Sequence, residues 1–229
     1  MNKILKSIAI PISIVVLSII LGIIFRDSFL GIITLIFGFL NAYYLAIGKW
    51  YNYIFGILFS LSYGWICAVN GLFGWGIAAI LFYIPSQILG IITWFKNKQE
   101  DVVLMRSFNV KKSFMVCSLV ILASIFFGFL LSLIPTQKIY FLDATTQIVN
   151  VCGIVLSLFR YRESWYVWLL NNVLDLYIWI INFLNGGYYV EMMLITSIMY
   201  LIMNIIGIIY WIKTEAKQSR KSLEYSKME

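Results

Sequence analysis

The chain has 229 residues, of which 62% are hydrophobic and 12% are charged, and it carries a formal net charge of +7 and no histidine. Soluble domains carry about 25% charged residues, so this composition excludes a soluble protein and indicates an integral membrane protein. The apolar runs do not alternate with a period of two, so membrane-spanning helices are expected rather than barrel strands.

Eight apolar segments follow one another along the chain, and each is long enough to cross a hydrocarbon core of about 30 Å. Their predicted bounds are 4–25, 29–48, 51–70, 73–95, 113–134, 139–160, 165–184 and 187–212. Pro85 is expected to loosen or kink the fourth segment. A long charged break, 96–112, divides the segments into two halves.

The basic residues support this count. With eight spans and the N-terminus inside the cell, every lysine and arginine except Arg26 and Lys138 falls on the cytoplasmic side. Since cytoplasmic loops carry an excess of Lys and Arg, both ends of the chain are predicted to be cytoplasmic. The net charge is therefore attributed to the membrane edges and not to nucleic acid binding. The charged tail, 213–229, is predicted to be frayed.

An internal repeat relates the fourth segment to the eighth, because Tyr, an amide, Gly and Trp recur along one helical face in both. The two sets are Tyr83, Gln87, Gly90 and Trp94, and Tyr200, Asn204, Gly207 and Trp211. The motifs Tyr63-Gly-Trp65 and Tyr177-Ile-Trp179 extend the match, so segments two to four resemble segments six to eight. Triplets separated by one segment share an orientation, which predicts a parallel repeat about an axis along the membrane normal.

The predicted fold is therefore an all-α integral membrane protein of eight transmembrane helices, one extra N-terminal helix plus a three-plus-one-plus-three repeat. Its parts are 1–28 for the extra helix, 29–95 for the first triplet, 96–138 for the cytoplasmic loop and linker helix, 139–212 for the second triplet and 213–229 for the tail.

Polar groups inside apolar segments are costly in lipid and mark candidate sites. The polar and aromatic faces are Tyr83 and Gln87 on the fourth segment; Asp143, Gln147, Asn150 and Gly153 on the sixth; Trp168, Asn172, Asp175 and Trp179 on the seventh; and Glu191, Tyr200 and Asn204 on the eighth. If these faces turn inward together, they suit a small, flat, polar solute. Rings stack on Trp or Tyr, and a carboxylate favours a cationic ring.

Structural roles compete with solute contact at some positions. Gly90 and Gly207 are expected to permit close helix packing. Trp94 and Trp211, at the cytoplasmic ends of their segments, are expected in the interfacial aromatic belt.

The polar side chains have two readings as well. Gln87 and Asn204 either hold helices together by hydrogen bonds or contact the solute. Asp175 either serves function or is tied to Asn172 or a tyrosine hydroxyl. Asp143 lies near the outer end of its segment, where solvation is the alternative to a site.

No cofactor or metal is predicted. Cys67, Cys117 and Cys152 are scattered in apolar runs, which argues against disulfides and a metal site. No nucleotide-binding loop is present, so the chain has no ATPase motif of its own. A membrane enzyme acting on lipid head groups would want an acidic or histidine cluster at the inner interface, where only Glu163 is found. A non-transporting scaffold is a further alternative.

Several motifs follow one another in a characteristic order over residues 29–213. They are Gln87-x-x-Gly90-x-x-x-Trp94, Asp143-Ala-Thr-Thr-Gln147, Arg162-Glu-Ser-Trp165-Tyr-Val-Trp168, Asn172, Asp175 and Asn185-Gly-Gly-Tyr. In this order the chain resembles the PnuC family of bacterial vitamin transporters. The resemblance implies a fold similar to SWEET sugar carriers with its own helix arrangement, and a homotrimer.

The resemblance also implies facilitated diffusion of nicotinamide riboside across the bacterial cytoplasmic membrane, with trapping by a cytoplasmic kinase. Thiamine or deoxynucleosides are the alternative solutes, and proton coupling through Asp175 is an alternative mechanism. The residues predicted to bind the solute are Gln87, Asn172 and Asn204 by hydrogen bonds, Trp168 with Tyr83 or Tyr200 by stacking, Asp175 as counter-charge, and Gln147 and Asn150 on the ribose side.

Overall fold

The computed structural model describes residues 2–99, 102–135 and 139–225, most of which are helical. In this part of the chain the helices are α1 (Asn2–Ile24), α2 (Phe29–Ala46), α3 (Asn52–Val69), α4 (Phe73–Ala78), α5 (Ile84–Lys96), α6 (Val110–Ser132), α7 (Tyr140–Leu158), α8 (Ser164–Leu184) and α9 (Val190–Tyr225). A π-helical turn, Ala79–Tyr83, joins α4 to α5 without a break.

Among the described residues, seven helical stretches are long and apolar enough to cross a membrane. They are Phe29–Ala46, Asn52–Val69, Phe73–Lys96, Lys111–Ser132, Tyr140–Leu158, Ser164–Leu184 and Val190–Arg220. A shorter apolar helix, Ala9–Ile24, lies within α1. Every apolar segment read from the sequence thus coincides with helix to within a few residues.

The irregular part of the fourth segment lies beside Pro85. A proline has no N–H to donate to the preceding turn, so the hydrogen-bond ladder loses one bond there. The backbone widens into the π-helical turn immediately before this proline, where the N–H of Ile84 bonds the carbonyl of Ala79. The loosening predicted at Pro85 is present, and it leaves Tyr83 at the end of the widened turn.

The charged tail differs from expectation, since α9 continues as helix through 213–225. Its polar side chains bind the loop after α5. Gln218 accepts a hydrogen bond from the N–H of Met105 at 3.0 Å and donates to the carbonyl of Val103 at 3.1 Å. Glu215 pairs with Arg162 at 3.0 Å. The predicted fraying was wrong for the described residues, because these contacts hold the helix.

The loop after α5 contains a small antiparallel hairpin formed by β1 (Lys98–Gln99) and β2 (Val102–Val103). The N–H of Val103 bonds the carbonyl of Gly48 at 3.2 Å, in the turn between α2 and α3. The N–H of Arg106 bonds the carbonyl of Arg160 at 2.9 Å, in the turn between α7 and α8. The loop therefore ties the two halves of the chain together at this end of the bundle.

Helices α2, α3, the α4–α5 unit, α7, α8 and α9 form a closed ring. Each packs on the next in this order, and α9 packs back on α2. Helix α1 packs against α2, and α6 packs against α7. The ring members all come from the two predicted triplets, so the extra helix and the linker helix lie at the periphery.

Two glycines allow the ring to close tightly. A Cβ at Gly90 would lie 2.4 Å from the ring of Tyr53, and a Cβ at Gly207 would lie 2.3 Å from the ring of Trp165. Real side-chain atoms do not approach so closely, so the aromatic rings occupy the space that a larger residue would need. The packing role predicted for both glycines is confirmed.

The two tryptophans that follow these glycines are enclosed by protein and do not face lipid. Trp94 and Trp211 are 0% exposed, and their ring centroids lie 5.9 Å apart. The indole N–H of Trp94 donates to the carbonyl of Ser157 at 2.9 Å, and that of Trp211 donates to the carbonyl of Leu45 at 3.3 Å. Carbonyls near the C-terminal ends of α7 and α2 satisfy the indoles inside the protein. The predicted interfacial location was wrong.

At the opposite end of the ring, two hydrogen bonds to carboxylates join the halves. Asp143 on α7 is fully buried and accepts a hydrogen bond from the N–H of Gly74 in the first turn of α4, at 3.2 Å. Asp27, just before α2, accepts one from the N–H of Met192 in the first turn of α9, also at 3.2 Å. A carboxylate there complements the positive end of the helix dipole. Solvation was the wrong alternative for Asp143.

Candidate functional site

A cavity lies inside the ring and is lined by residues of every ring helix. Eight of the nine residues predicted to bind a solute contribute to its walls. They are Tyr83, Gln87, Asn150, Trp168, Asn172, Asp175, Tyr200 and Asn204. Residues far apart in the chain meet here because helical periodicity turns one polar face of each helix inward.

Gln147, the ninth predicted residue, lies behind the wall. Its Oε1 accepts a hydrogen bond from the hydroxyl of Tyr83, and its Nε2 donates to Oδ1 of Asp143 at 3.2 Å. Its amide is therefore bonded on both sides within the protein. It reaches the cavity only through Tyr83.

Asp175 is the charged side chain of the cavity wall. It is 8% exposed, and no lysine or arginine is among the described lining residues. Its Oδ2 accepts a hydrogen bond from Nδ2 of Asn171 at 2.9 Å, one turn earlier on α8. The expected partners were Asn172 or a tyrosine hydroxyl, but the spacing of four residues places Asn171 above the carboxylate. A buried carboxylate without a cationic partner favours a positively charged solute.

Several buried polar atoms of the wall lack a protein partner. They are Oε1 of Gln87, Oδ1 of Asn171, Oδ1 of Asn204, the hydroxyl of Tyr53 and Nε1 of Trp165. A buried polar atom left unpaired costs about 1–3 kcal/mol, so such atoms mark places where a ligand makes hydrogen bonds. The amide oxygens can only accept, so the wall matches a solute that presents hydroxyl or N–H donors.

The aromatic part of the wall is held in place. Trp168 donates its indole N–H to Oγ of Ser157 at 2.9 Å, and its ring lies against Gly153, where a Cβ would approach it to 3.0 Å. Tyr200 packs edge-on against Phe59, with ring centroids 5.8 Å apart. Fixed rings offer a solute a flat apolar surface at little entropic cost.

Some wall residues were not among the sequence candidates. They include Asn41, Tyr53, Tyr63, Trp75, Trp165 and Asn171. Asn41 is an amide within the apolar segment 29–48, so the rule applied to the other intramembrane amides was sufficient to find it. Tyr63 and Trp75 carry no such signal, because an aromatic residue in an apolar run reads equally well as lipid-facing.

A ring of apolar helices around a polar cavity defines a multi-pass membrane carrier, with lipid outside and a solute inside. The family model described as nicotinamide mononucleotide transporter matches residues 28–213. The chain belongs to this family of bacterial membrane transporters and is not an enzyme. The resemblance drawn from the motifs is thereby confirmed.

Two relatives are named nicotinamide riboside transporter PnuC. The protein from Neisseria mucosa is 27% identical over 203 residues, which cover 84% of this chain and 75% of the relative. The protein from Haemophilus influenzae is 28% identical over 157 residues, which cover 67% and 69%. A crystal structure of the vitamin B3 transporter PnuC has a TM-score of 0.80 and 24% identity over 90% of both chains, which shows the same fold.

Proposed function

We propose that the protein carries nicotinamide riboside across the bacterial cytoplasmic membrane by facilitated diffusion. The observation that carries this proposal is the combination, in one cavity, of a lone carboxylate, unpaired amide oxygens and fixed aromatic rings. Nicotinamide riboside has a flat cationic ring, a carboxamide and ribose hydroxyls. Each of these groups has a complementary partner in the wall.

Charge favours the riboside over the mononucleotide. A phosphate group is bound in proteins by arginine, lysine or clustered backbone N–H groups. The described wall has no basic side chain, and Asp175 would repel a phosphate in this low-dielectric space. The riboside carries a positive charge and no phosphate, so the same carboxylate attracts it.

Each group of wall residues has a proposed role. Asp175 supplies the counter-charge for the ring, and Gln87, Asn172 and Asn204 bond the carboxamide and hydroxyls. Trp168 with Tyr83 or Tyr200 stacks on the ring. Asn150 contacts the ribose, and Gln147 acts through Tyr83.

We further propose eight spans, both termini in the cytoplasm and a parallel repeat whose halves rock about the cavity. Equivalent contacts support the repeat. Gly90 packs on Tyr53 as Gly207 packs on Trp165, and each pair precedes a buried tryptophan.

These contacts pair the residues of the two halves differently from the alignment made on the sequence. Tyr63 and Tyr177, paired in the sequence comparison, differ in environment, with 4% and 55% exposure. The same alignment pairs Leu61 with Asp175, and Leu61 is exposed as well. Tyr63 lies as far beyond Tyr53 as Asp175 lies beyond Trp165, so Tyr63 is the better match. The cavity thus has a hydroxyl on one side and a carboxylate on the other, which suits an asymmetric solute.

A carrier of this kind brings the solute only to equal concentrations on both sides, so accumulation requires a reaction that consumes it inside. A cytoplasmic kinase that phosphorylates the riboside meets this need, since the cavity does not accept a phosphate. Assembly as a homotrimer is proposed from the family resemblance.

Uptake into proteoliposomes tests the function. We expect labelled nicotinamide riboside to enter at a saturable rate without an ion gradient, and unlabelled riboside to compete while the mononucleotide does not. Uptake that is absent with correctly folded protein, or that the mononucleotide inhibits as strongly as the riboside, would refute the proposal.

Thiamine is the second candidate solute, because it is also a flat cation and the lone carboxylate of Asp175 favours cations. Deoxynucleosides are neutral and gain less from this carboxylate. Strong inhibition of uptake by thiamine would move the assignment to it. Proton coupling through Asp175 would appear as uptake that a pH gradient drives and that Asp175→Asn uncouples from the gradient.

A further inference from the structure

A chain of hydrogen bonds connects the start of α4 to the cavity wall. The N–H of Gly74 donates to Oδ2 of Asp143, and Nε2 of Gln147 donates to Oδ1 of the same carboxylate, both at 3.2 Å. The hydroxyl of Tyr83 then donates to Oε1 of Gln147. Asp143 and Gln147 are buried behind the wall, and Tyr83 lines the cavity.

Each link in this chain fixes the direction of the next. Both oxygens of Asp143 accept N–H groups, so the amide of Gln147 must turn its NH₂ group toward the carboxylate. The amide oxygen of Gln147 therefore faces Tyr83. Tyr83 has one hydroxyl proton and donates it to that oxygen. The lone pairs of its oxygen are all that Tyr83 can offer to a solute.

A second tyrosine of the wall has the opposite arrangement. Nε1 of Trp179 donates to the hydroxyl oxygen of Tyr63 at 2.6 Å, and an indole N–H can only donate. Tyr63 and Tyr83 both pack on Trp75, with ring centroids 4.6 and 4.9 Å from it. Two neighbouring hydroxyls of similar chemistry are thus set to different polarity by the residues behind them.

We propose that Asp143 and Gln147 are positioning residues that fix Tyr83 as a hydrogen-bond acceptor and so select a solute with a hydroxyl or N–H donor at that place. The inference rests on the proposed function for the identity of the solute and adds which polarity the wall requires. The sharpest consequence concerns Asp143→Asn. Its amide oxygen can still accept from Gly74, but its NH₂ group then faces Gln147.

This substitution keeps the bond from Gly74 and reverses the two hydrogen bonds that follow it. Gln147 turns its oxygen toward the introduced amide and its NH₂ group toward Tyr83. Tyr83 then accepts from Gln147 and presents its own proton to the solute. The preferred solute at this place changes from a donor to an acceptor.

Binding of matched solutes to the purified full-length protein tests this. The ligands are nicotinamide riboside, its 2′-fluoro and 3′-fluoro analogues and its N,N-dimethylcarboxamide analogue, each of which lacks the donor or donors of one group. We expect the wild type to bind one analogue about tenfold more weakly than the riboside, as the loss of one hydrogen bond implies. Gln147→Leu and Tyr83→Phe should reduce this ratio to about twofold. Asp143→Asn should reduce it to a similar value, because the solute group then accepts from Tyr83 and its own donor no longer contributes.

Asn70→Leu is the control, because this buried amide bonds Ile66 and Tyr188 outside the cavity and its removal leaves the hydrogen bonds to Tyr83 intact. It should keep the wild-type ratio. If Gln147→Leu weakens every ligand equally and leaves the ratio unchanged, Gln147 has only a structural role and the inference is overturned. If Gln147→Leu does not fold, an unchanged ratio in Tyr83→Phe overturns it equally. Wild-type protein that binds none of the ligands contradicts the proposed function instead.

Discussion

The substitution Gln87→Leu tests whether Gln87 binds the solute or only stabilises the fold. The direction of the changes in Tm and in the Kd for the solute distinguishes the two roles. Gln87 is buried on α5, and its Oε1 has no partner in the protein. It lies against Gly56, where a Cβ would approach Oε1 to 2.5 Å. Leucine has a similar reach and no polar atom.

The magnitudes follow from the hydrogen bonds of the empty and occupied states. An unpaired buried acceptor costs about 1–3 kcal/mol, so its removal should leave the Tm of the empty protein unchanged or raise it by a few degrees. A neutral hydrogen bond to the solute contributes about 0.5–1.5 kcal/mol, so the Kd for nicotinamide riboside should rise about two- to tenfold. Asn204→Leu should behave in the same way, because Oδ1 of Asn204 is also unpaired.

The assay combines thermal unfolding, ligand titration and initial uptake rates in proteoliposomes. Asn70→Leu is the matched control, because this amide lies outside the cavity and is bonded on both sides. It donates to Ile66 at 2.8 Å and accepts from the N–H of Tyr188 at 2.8 Å. The control should lower the Tm and leave the Kd unchanged. Normal uptake by both Gln87→Leu and Asn204→Leu would refute the assignment of these amides to the solute site.

Three further predictions concern charge, packing and the loop after α5. Asp175→Asn should weaken binding of the cationic riboside at least tenfold more than binding of its neutral dihydro form. A charge pair at about 5 Å contributes up to about 3 kcal/mol at an effective dielectric constant of about 20. Equal weakening of the two ligands in titrations would show that the charge of Asp175 is irrelevant to binding. Gly207→Ala should destabilise the protein by about 1–3 kcal/mol through overpacking on Trp165, measured as a lower Tm. Its control, Gly76→Ala, meets its nearest neighbour at 3.6 Å and should show no loss. Gln218→Ala removes the side chain that bonds the loop, so the amide of Met105 should exchange hydrogen faster; unchanged exchange would mean that the hairpin holds the loop alone.

The sequence was sufficient to predict those features that depend on spacing along a single helix. The apolar lengths and the lack of a period of two determined where helices form, because a helix satisfies its backbone hydrogen bonds within its own segment in lipid. The spacing of Gln87, Asn172, Asp175 and Asn204 determined which face of each helix is polar. The structure brings these four residues to one cavity, because the apolar faces of their helices pack against lipid or other apolar side chains and the polar faces turn inward.

Only the tertiary structure decided what each face meets. Trp94 reads as interfacial from its place at a helix end, but ring closure supplies a carbonyl that satisfies its N–H inside the protein. Gln147 belongs to the polar face of α7, yet the orientation of α7 within the ring places Tyr83 between Gln147 and the cavity. The position of Asp143 near a helix end suggests exposure to solvent, but in the structure the first turn of α4 covers it and donates a hydrogen bond to its carboxylate. Helical periodicity fixes the residues that share a face, whereas the neighbouring face depends on how the helices close around one another.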